Sequence, residues 1–194
     1  MDKNIDLRIS RTYKLIKEAF LELIEIQGFD KITVKDLTNK AMISRTTFYL
    51  HYKDKFDLLE QIENDILDGF KNISDDISIN EILIEDLSSE TYFSLLVRIY
   101  EYVKENQKFF RLFLGKNGDP SFHYKLTETL KMVTNKNPLM DKIKIPEHYA
   151  IAFVIGFQTT IITEWINSGM KETPNELASM VSKIMGDMPK NMYT

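Results

Sequence analysis

The sequence predicts an all-α fold, an N-terminal three-helix head containing a helix-turn-helix followed by a larger helical body. Apolar residues recur at the 3.6-residue period along most of the 194-residue chain, and no alternating apolar and polar run has turn signals on both sides. Residues 33–55, TVKDLTNKAMISRTTFYLHYKDK, divide into two short helices joined by a three-residue turn. Charge divides near the same place. Residues 1–55 hold 11 Lys and Arg against 8 Asp and Glu, a net of +3, and residues 56–194 hold 14 against 21, a net of −7. A weakly basic head thus precedes an acidic body.

The first helix is expected from Arg8 to Gln27, with Tyr13, Ile16, Phe20, Leu23 and Ile24 on one stripe and Gly28 as a left-handed cap. Thr33 then caps a second helix whose third residue, Asp36, is an acid, and Val34, Leu37 and Ala41 share one of its faces. Ser44 caps the third helix. On it Phe48 points inward, while Arg45, Thr46, Thr47 and Tyr49 offer hydrogen-bonding groups near the exposed N-terminal end, where a recognition helix meets base edges in a DNA major groove. Asp54 can cap a fourth helix carrying Phe56, Leu59, Ile62, Ile66 and Phe70. The expected domains are a DNA-binding head over 1–54, a linking helix over 54–72, and a helical body over 73–194.

Residues 72–89, acidic and broken by Ser and Asn, read as a loop with room for one short helix. A long helix follows from Ser89 to Glu105 with Phe93, Leu96, Val97, Tyr100 and Val103 in period, then the short aromatic helix KFFRLFLG and a turn over Gly115 to Gly118. Asp119 and Pro120 open the next helix, which buries Leu126, Leu130 and Val133 and closes at Asn135 to Pro138. From Pro146 the run AIAFVIGFQTTIITEWI leads to Asn167 and Gly169, apolar over so much of its circumference that it is buried on more than one side. Thr173, Pro174 and Glu176 start the last helix, which carries Leu177, Met180, Val181 and Ile184.

A formal net charge of −4 and a pI near 5.5 exclude a protein that coats nucleic acid with its whole surface. Without cysteine there is no disulfide, thiolate metal site or catalytic thiol. His51, His123 and His148 are far apart and lack paired-ligand spacing, so no metal and no cofactor is expected. Glu164 and the carboxylates over 85–90 read as solvated faces, because no His or nucleophile accompanies them, and an enzyme is not expected. MDKNIDLRIS lacks the apolar stretch of a signal peptide, and the longest apolar run, AIAFVIGF at 150–157, is too short to span a bilayer. These observations predict a soluble, cytoplasmic protein with no membrane contact.

Ile16, Ala19 and Phe20, then Gly28-Phe29, Thr33-Val34 and Leu37, and finally SRTTFYLHYKDKFDLL at 44–59 follow one another in an order similar to the N-terminal domain of TetR/AcrR-type transcriptional regulators. Further on, Gly156, Trp165, Asn167, Gly169-Met170 and the TPNELA start look like a ligand-domain subfamily of the same regulators. The resemblance implies double-stranded DNA as a partner. Thr33 would meet a phosphate at a helix N-terminus, where the dipole favours an anion. Arg45, Thr46 and Thr47 would face base edges, with Ser44 beside them, and Tyr49, His51 and Lys55 would hold sugar and phosphate. Arg8 and Arg11 would add phosphate or minor-groove contacts from the N-terminal arm. Two positions depart from the pattern: Met42 stands in the turn where these regulators usually carry Gly, and Thr46 stands where a small residue is common. Read alone, Tyr49 also fits packing against the first helix, and His51 fits an ordinary surface residue.

The resemblance further implies a ligand-responsive repressor acting as a homodimer on an inverted repeat. The alternative is a relative that activates or works through a protein partner, with weak DNA binding alone. In the body, Phe93, Tyr100, Phe110, Phe113, Phe122, Phe153 and Phe157 serve plain core packing or, as a set, line an apolar pocket for an unknown small-molecule effector. Ile155, Thr159, Ile162, Ile166, Leu177, Val181 and Ile184 are the expected dimer face, pairing the last two helices with their copies in a four-helix bundle. Burial of that surface within one chain is the other reading.

Overall fold

The structure, a computed structural model, describes residues 3–76, 89–116, 118–134 and 146–186. Helices dominate, with no strand among the described residues. Of the expected loop over 72–89, residues 72–76 are helical and 77–88 lie outside the described residues, as does the helix end over 135–138. Cα proximity divides the chain into two compact units, Met1–Asp65 and Ile66–Thr194.

In the first unit, α1 (Lys3–Gln27) begins five residues before the expected start and buries Ile16, Ala19, Phe20 and Leu23. It ends at Gly28, whose φ of 78° favours a residue without a side chain. A 3-10 turn (Phe29–Lys31), α2 (Val34–Lys40), α3 (Arg45–Tyr49) and the start of α4 (Lys55–Asp76) follow. Ile32, Leu37, Phe48, Leu58 and Ile62 complete the core, each at most 2% exposed. Beside it, the Tyr13 hydroxyl donates to the Asp65 carboxylate. Burial lowers the pKa of the neighbouring Lys17 ammonium against the pull of Asp65, and burial followed by the charges of Asp65 and Asp57 pushes the Tyr52 hydroxyl up to about 12.

The phase of α4 differs from the expected one. Its buried row is Leu58, Ile62, Ile66 and Phe70 at i, i+4 spacing, with Leu67 and Ile73 beside it, and it runs on to Asp76. Phe56 is 62% exposed, because at the first turn its ring meets Phe29 edge-on at 5.2 Å instead of entering the core. Asp54 caps the helix as expected, accepting from the backbone N–H groups of Phe56 and Asp57 at 2.8 and 2.9 Å.

The second unit contains the rest of α4 with α5 (Glu90–Glu105), α6 (Gln107–Phe113), α7 (Pro120–Thr134), α8 (Glu147–Asn167) and α9 (Pro174–Gly186). Helix α5 packs on α9 and α7 on α8, while α6 touches α5, α7 and α8. Phe109 stacks on Phe113 with ring centroids 4.4 Å apart and meets Phe122 edge-on at 4.8 Å. This aromatic knot ties α6 to α7. The stretch His148–Asn167 of α8, with mean hydropathy 1.3, is long and apolar enough to cross a membrane by length and composition, which the eight-residue run alone did not suggest. Ile151, Ile155, Ile162, Trp165 and Ile166 of that helix are nevertheless buried within the unit.

That burial corrects the expected dimer face. Ile155, Thr159, Ile162, Ile166, Leu177 and Val181 are each at most 7% exposed within a single chain, so they offer no surface to a second copy. Periodicity marks which residues share a face, but not which neighbour covers it. Of the expected set only Ile184 is open, at 52%, and the other exposed large apolar residues described on α8 and α9 are Tyr149, Phe153 and Met180.

Candidate nucleic-acid interface

Helix α2 is held by a reciprocal cap. The Asp36 N–H donates to Thr33 Oγ1 at 3.2 Å, and the Thr33 N–H and hydroxyl donate to Asp36 Oδ2 at 3.0 and 2.6 Å. The Thr33 hydroxyl, then its N–H, hold the Asp36 carboxyl below its ordinary pKa. Any phosphate drawn to this helix end must therefore share it with a carboxylate.

The turn passes through Ala41, Met42 and Ile43. Met42 has φ 54°, the left-handed region that glycine adopts at least cost, and is 92% exposed. It is one of two non-glycine residues with positive φ among the described residues, the other being Met170. The departure from the family pattern is thus a strained residue that keeps the turn geometry.

Ser44 Oγ accepts from the Thr47 N–H at 2.9 Å, and the two hydroxyls lie 2.8 Å apart. The cap starts α3 with Phe48 fully buried beneath it. The expected base-reading trio is split by this bond. Arg45 and Thr46 are exposed, whereas Thr47 is half-buried with its hydroxyl turned to Ser44. Tyr49 is 57% exposed and leans edge-on against Phe48 of its own helix at 5.6 Å. His51 is half-buried beside Tyr52, and Arg11 is exposed on α1. The Arg8 side chain lies outside the described residues.

Lys55 has a role that its spacing did not reveal. Its Nζ donates to the backbone oxygens of Phe29 and Asp30 at 3.0 and 2.8 Å and lies 4.7 Å from the Phe29 ring centroid. The ammonium thus pins the start of α4 to the turn after α1, with one donor left over. The aromatics Phe29 and Phe56 were the available signal: their rings meet edge-on at 5.2 Å, and the ammonium lies 4.7 and 5.5 Å from their centroids, within reach of both.

The second unit contains a cavity of about 120 Å³ among the end of α4, α5, α7 and α8. Among the described residues, aliphatic side chains such as Leu96, Val133 and Ile155 form most of its wall, with Phe70 and three polar residues, Ser74, Tyr92 and Gln158. None of the seven expected pocket residues lines it. Phe110, Phe113 and Phe122 are packed ring against ring, Phe93 and Phe157 are half-buried, and Phe153 is 44% exposed. Tyr100 is fully buried behind the wall and donates to Gln158 Oε1 at 3.0 Å; burial, then Tyr92, pushes its hydroxyl pKa upward. Large flat rings at helical spacing fill volume, so the gap opens where branched aliphatics meet.

A family model described as bacterial regulatory proteins, tetR family, matches residues 16–62, and one described as transcriptional regulator C-terminal region matches residues 90–187. The chain is 24% identical over 176 residues to the uncharacterized HTH-type transcriptional regulator YxbF of Bacillus subtilis, covering 88% of this chain and 43% of that protein. It is 33% identical over 102 residues to the HTH-type dhaKLM operon transcriptional activator DhaS of Lactococcus lactis, covering 52% of this chain and 47% of that one. The chain thus spans less than half the length of these curated relatives. In fold it is similar to the regulator FadR of Bacillus subtilis, solved in complex with stearoyl-CoA, with TM-score 0.65 over 90% of this chain and 98% of that one at 16% identity. With the head and half of the chain separately matched, the chain belongs to the TetR family of bacterial transcriptional regulators.

Proposed function

We propose that this chain is a sequence-specific regulator that binds double-stranded DNA as a homodimer and acts as a ligand-responsive repressor in the cytoplasm. The observation that carries the proposal is the outward face of α3, where Arg45, Thr46 and Tyr49 stand exposed above a buried Phe48 on a helix started by Ser44. Arg45 and Thr46 read base edges, Thr47 contributes after its hydroxyl leaves Ser44, and Tyr49, His51, Thr33 and the spare donor of Lys55 hold the backbone. Arg8 and Arg11 add contacts from the arm. Two heads read an inverted repeat with half-sites about 34 to 36 Å apart, or a multiple of that. The experiment is a titration of DNA flanking its own gene at two salt concentrations against random competitor. Binding that weakens with salt and resists the competitor is expected; equal loss to random DNA would remove sequence specificity.

Activation is the second reading, supported by the identity to DhaS, which is named an activator. A reporter fused to the bound promoter separates the two by the sign of its response when the chain is deleted. FadR was solved with stearoyl-CoA, which supports ligand response for this fold without naming the ligand here. A ligand that prefers one conformation of the body changes DNA affinity only to the extent that its own affinity differs between conformations.

A further inference from the structure

The cavity of the second unit carries chemical information of its own. Its volume of about 120 Å³ compares with the roughly 150 Å³ of an engineered apolar cavity that accepts benzene, and it lies below the roughly 300 Å³ at which drug-sized pockets begin. A body of about six to eight heavy atoms is the match. Among the described residues, no Asp, Glu, Lys, Arg or His lines the cavity. A carboxylate, phosphate or amine would lose its water there and gain no counter-charge.

The polar side is specific. Gln158 is fixed in orientation, with Oε1 accepting from the Tyr100 hydroxyl and Nε2 donating to the Tyr92 hydroxyl, both at 3.0 Å. It keeps one N–H and one lone pair. Ser74 lines the same space, is 7% exposed, and its hydroxyl makes no hydrogen bond to a described residue. No buried side-chain oxygen among the described residues lacks a partner, so the Ser74 hydroxyl keeps a face open to the cavity, and a ligand that displaces water there must replace the hydrogen bond that water can make. Ser74 can donate and accept, as can the free positions of Gln158, and a hydroxyl group answers either role where a carbonyl answers one.

We propose that this cavity takes a small uncharged molecule with a compact apolar body and one hydroxyl group, hydrogen-bonded to Ser74. The inference rests on the ligand-responsive reading above. Ser74 lies near the C-terminal end of α4, the helix that Lys55 anchors at its other end.

The test is calorimetric titration of the full chain with phenol, toluene and benzoate, repeated on Ser74→Ala, a change small enough to keep the fold. Phenol and toluene are expected to bind and benzoate not. Ser74→Ala should weaken phenol about tenfold and leave toluene unchanged. Benzoate binding tighter than phenol, phenol affinity indifferent to Ser74→Ala, or no binding by any probe overturns the proposal. Titrating the gene-flanking DNA with and without phenol separates the two readings. Phenol that binds through Ser74 without changing DNA affinity sustains the ligand class and removes the ligand response, whereas DNA binding intact with every probe silent removes the ligand class alone.

Discussion

At the scale of single residues, strain and hydrogen bonds decide what each side chain is free to do. Met42 occupies a left-handed position with its side chain in solvent, so replacing it by glycine loses no packing. The left-handed penalty is about 1 to 2 kcal/mol and the extra chain entropy of glycine about 0.5 to 1. Met42→Gly should therefore stabilise the protein by about 0.5 to 1 kcal/mol, read as a higher urea midpoint; an unchanged midpoint would mean that the turn carries no strain. Lys55 makes the opposite case. Its two carbonyl bonds span the 3-10 turn and the start of α4, so Lys55→Ala should lower stability by about 1 to 2 kcal/mol even without DNA, beyond any weakening of DNA binding. A midpoint equal to the parent's would leave Lys55 with only a DNA-facing role. Sequence showed which of these residues belong to the candidate interface, because the string SRTTFYLHYKDK is contiguous. It did not show that Thr47 is tied to Ser44 or Lys55 to Phe29 and Asp30, since such partners depend on how the chain folds back.

At the scale of elements, the caps and stripes were legible and the neighbours were not. Thr33 with Asp36 and Thr173 with Glu176 form the reciprocal boxes that their spacing implied. Both acids have pKa values below the ordinary 3.8 and 4.5, Asp36 chiefly through the Thr33 hydroxyl and Glu176 chiefly through the Thr173 N–H. A carboxylate whose folded pKa is depressed contributes stability that is complete above its unfolded pKa and is lost as pH falls through the folded one. The urea midpoint should therefore drop as pH falls below about 4.5, and less steeply in Asp36→Asn with Glu176→Gln; parallel curves would show the boxes to be neutral in this range. What periodicity could not supply was the phase of α4, where Leu58 replaces Leu59 inside, or the close approach at Gly69. A Cβ there would lie 2.2 Å from the Tyr102 ring, whose hydroxyl donates to the Ile66 carbonyl at 3.1 Å. Helix propensity favours Gly69→Ala by about 1 kcal/mol, but displacing the ring costs about 1 to 3 and its hydrogen bond about 1. A net loss of about 1 to 3 kcal/mol is expected, and a raised melting temperature would mean that the ring moves aside cheaply.

At the scale of the whole molecule, a homodimer needs apolar surface that one chain leaves uncovered, and on α8 and α9 the described large apolar side chains that stay open are Tyr149, Phe153, Met180 and Ile184. A covered set on the same helices includes Ile162, at 2% exposure, and half-buried side chains such as Phe157 fall between the two. The covered and open sets make opposite predictions under the same change of charge. Ile162→Glu would place an unpaired carboxylate in the core of the second unit and should cost about 3 to 5 kcal/mol, seen as lost helicity and aggregation, not as a clean monomer. Phe153→Glu or Ile184→Glu adds charge at a surface already in water, so the single chain should keep its helicity and melting behaviour at low concentration. If the proposed dimer uses this open face, light scattering should then report half the parent's mass. DNA carrying a single half-site should bind the variants as the parent's separate heads do, while the inverted repeat loses the gain from two linked contacts. Parent mass retained in both surface variants would move the interface away from the open residues of α8 and α9. A monomeric parent would turn the inverted-repeat reading into one of two independent heads, distinguishable by a binding curve that no longer depends on the spacing between half-sites.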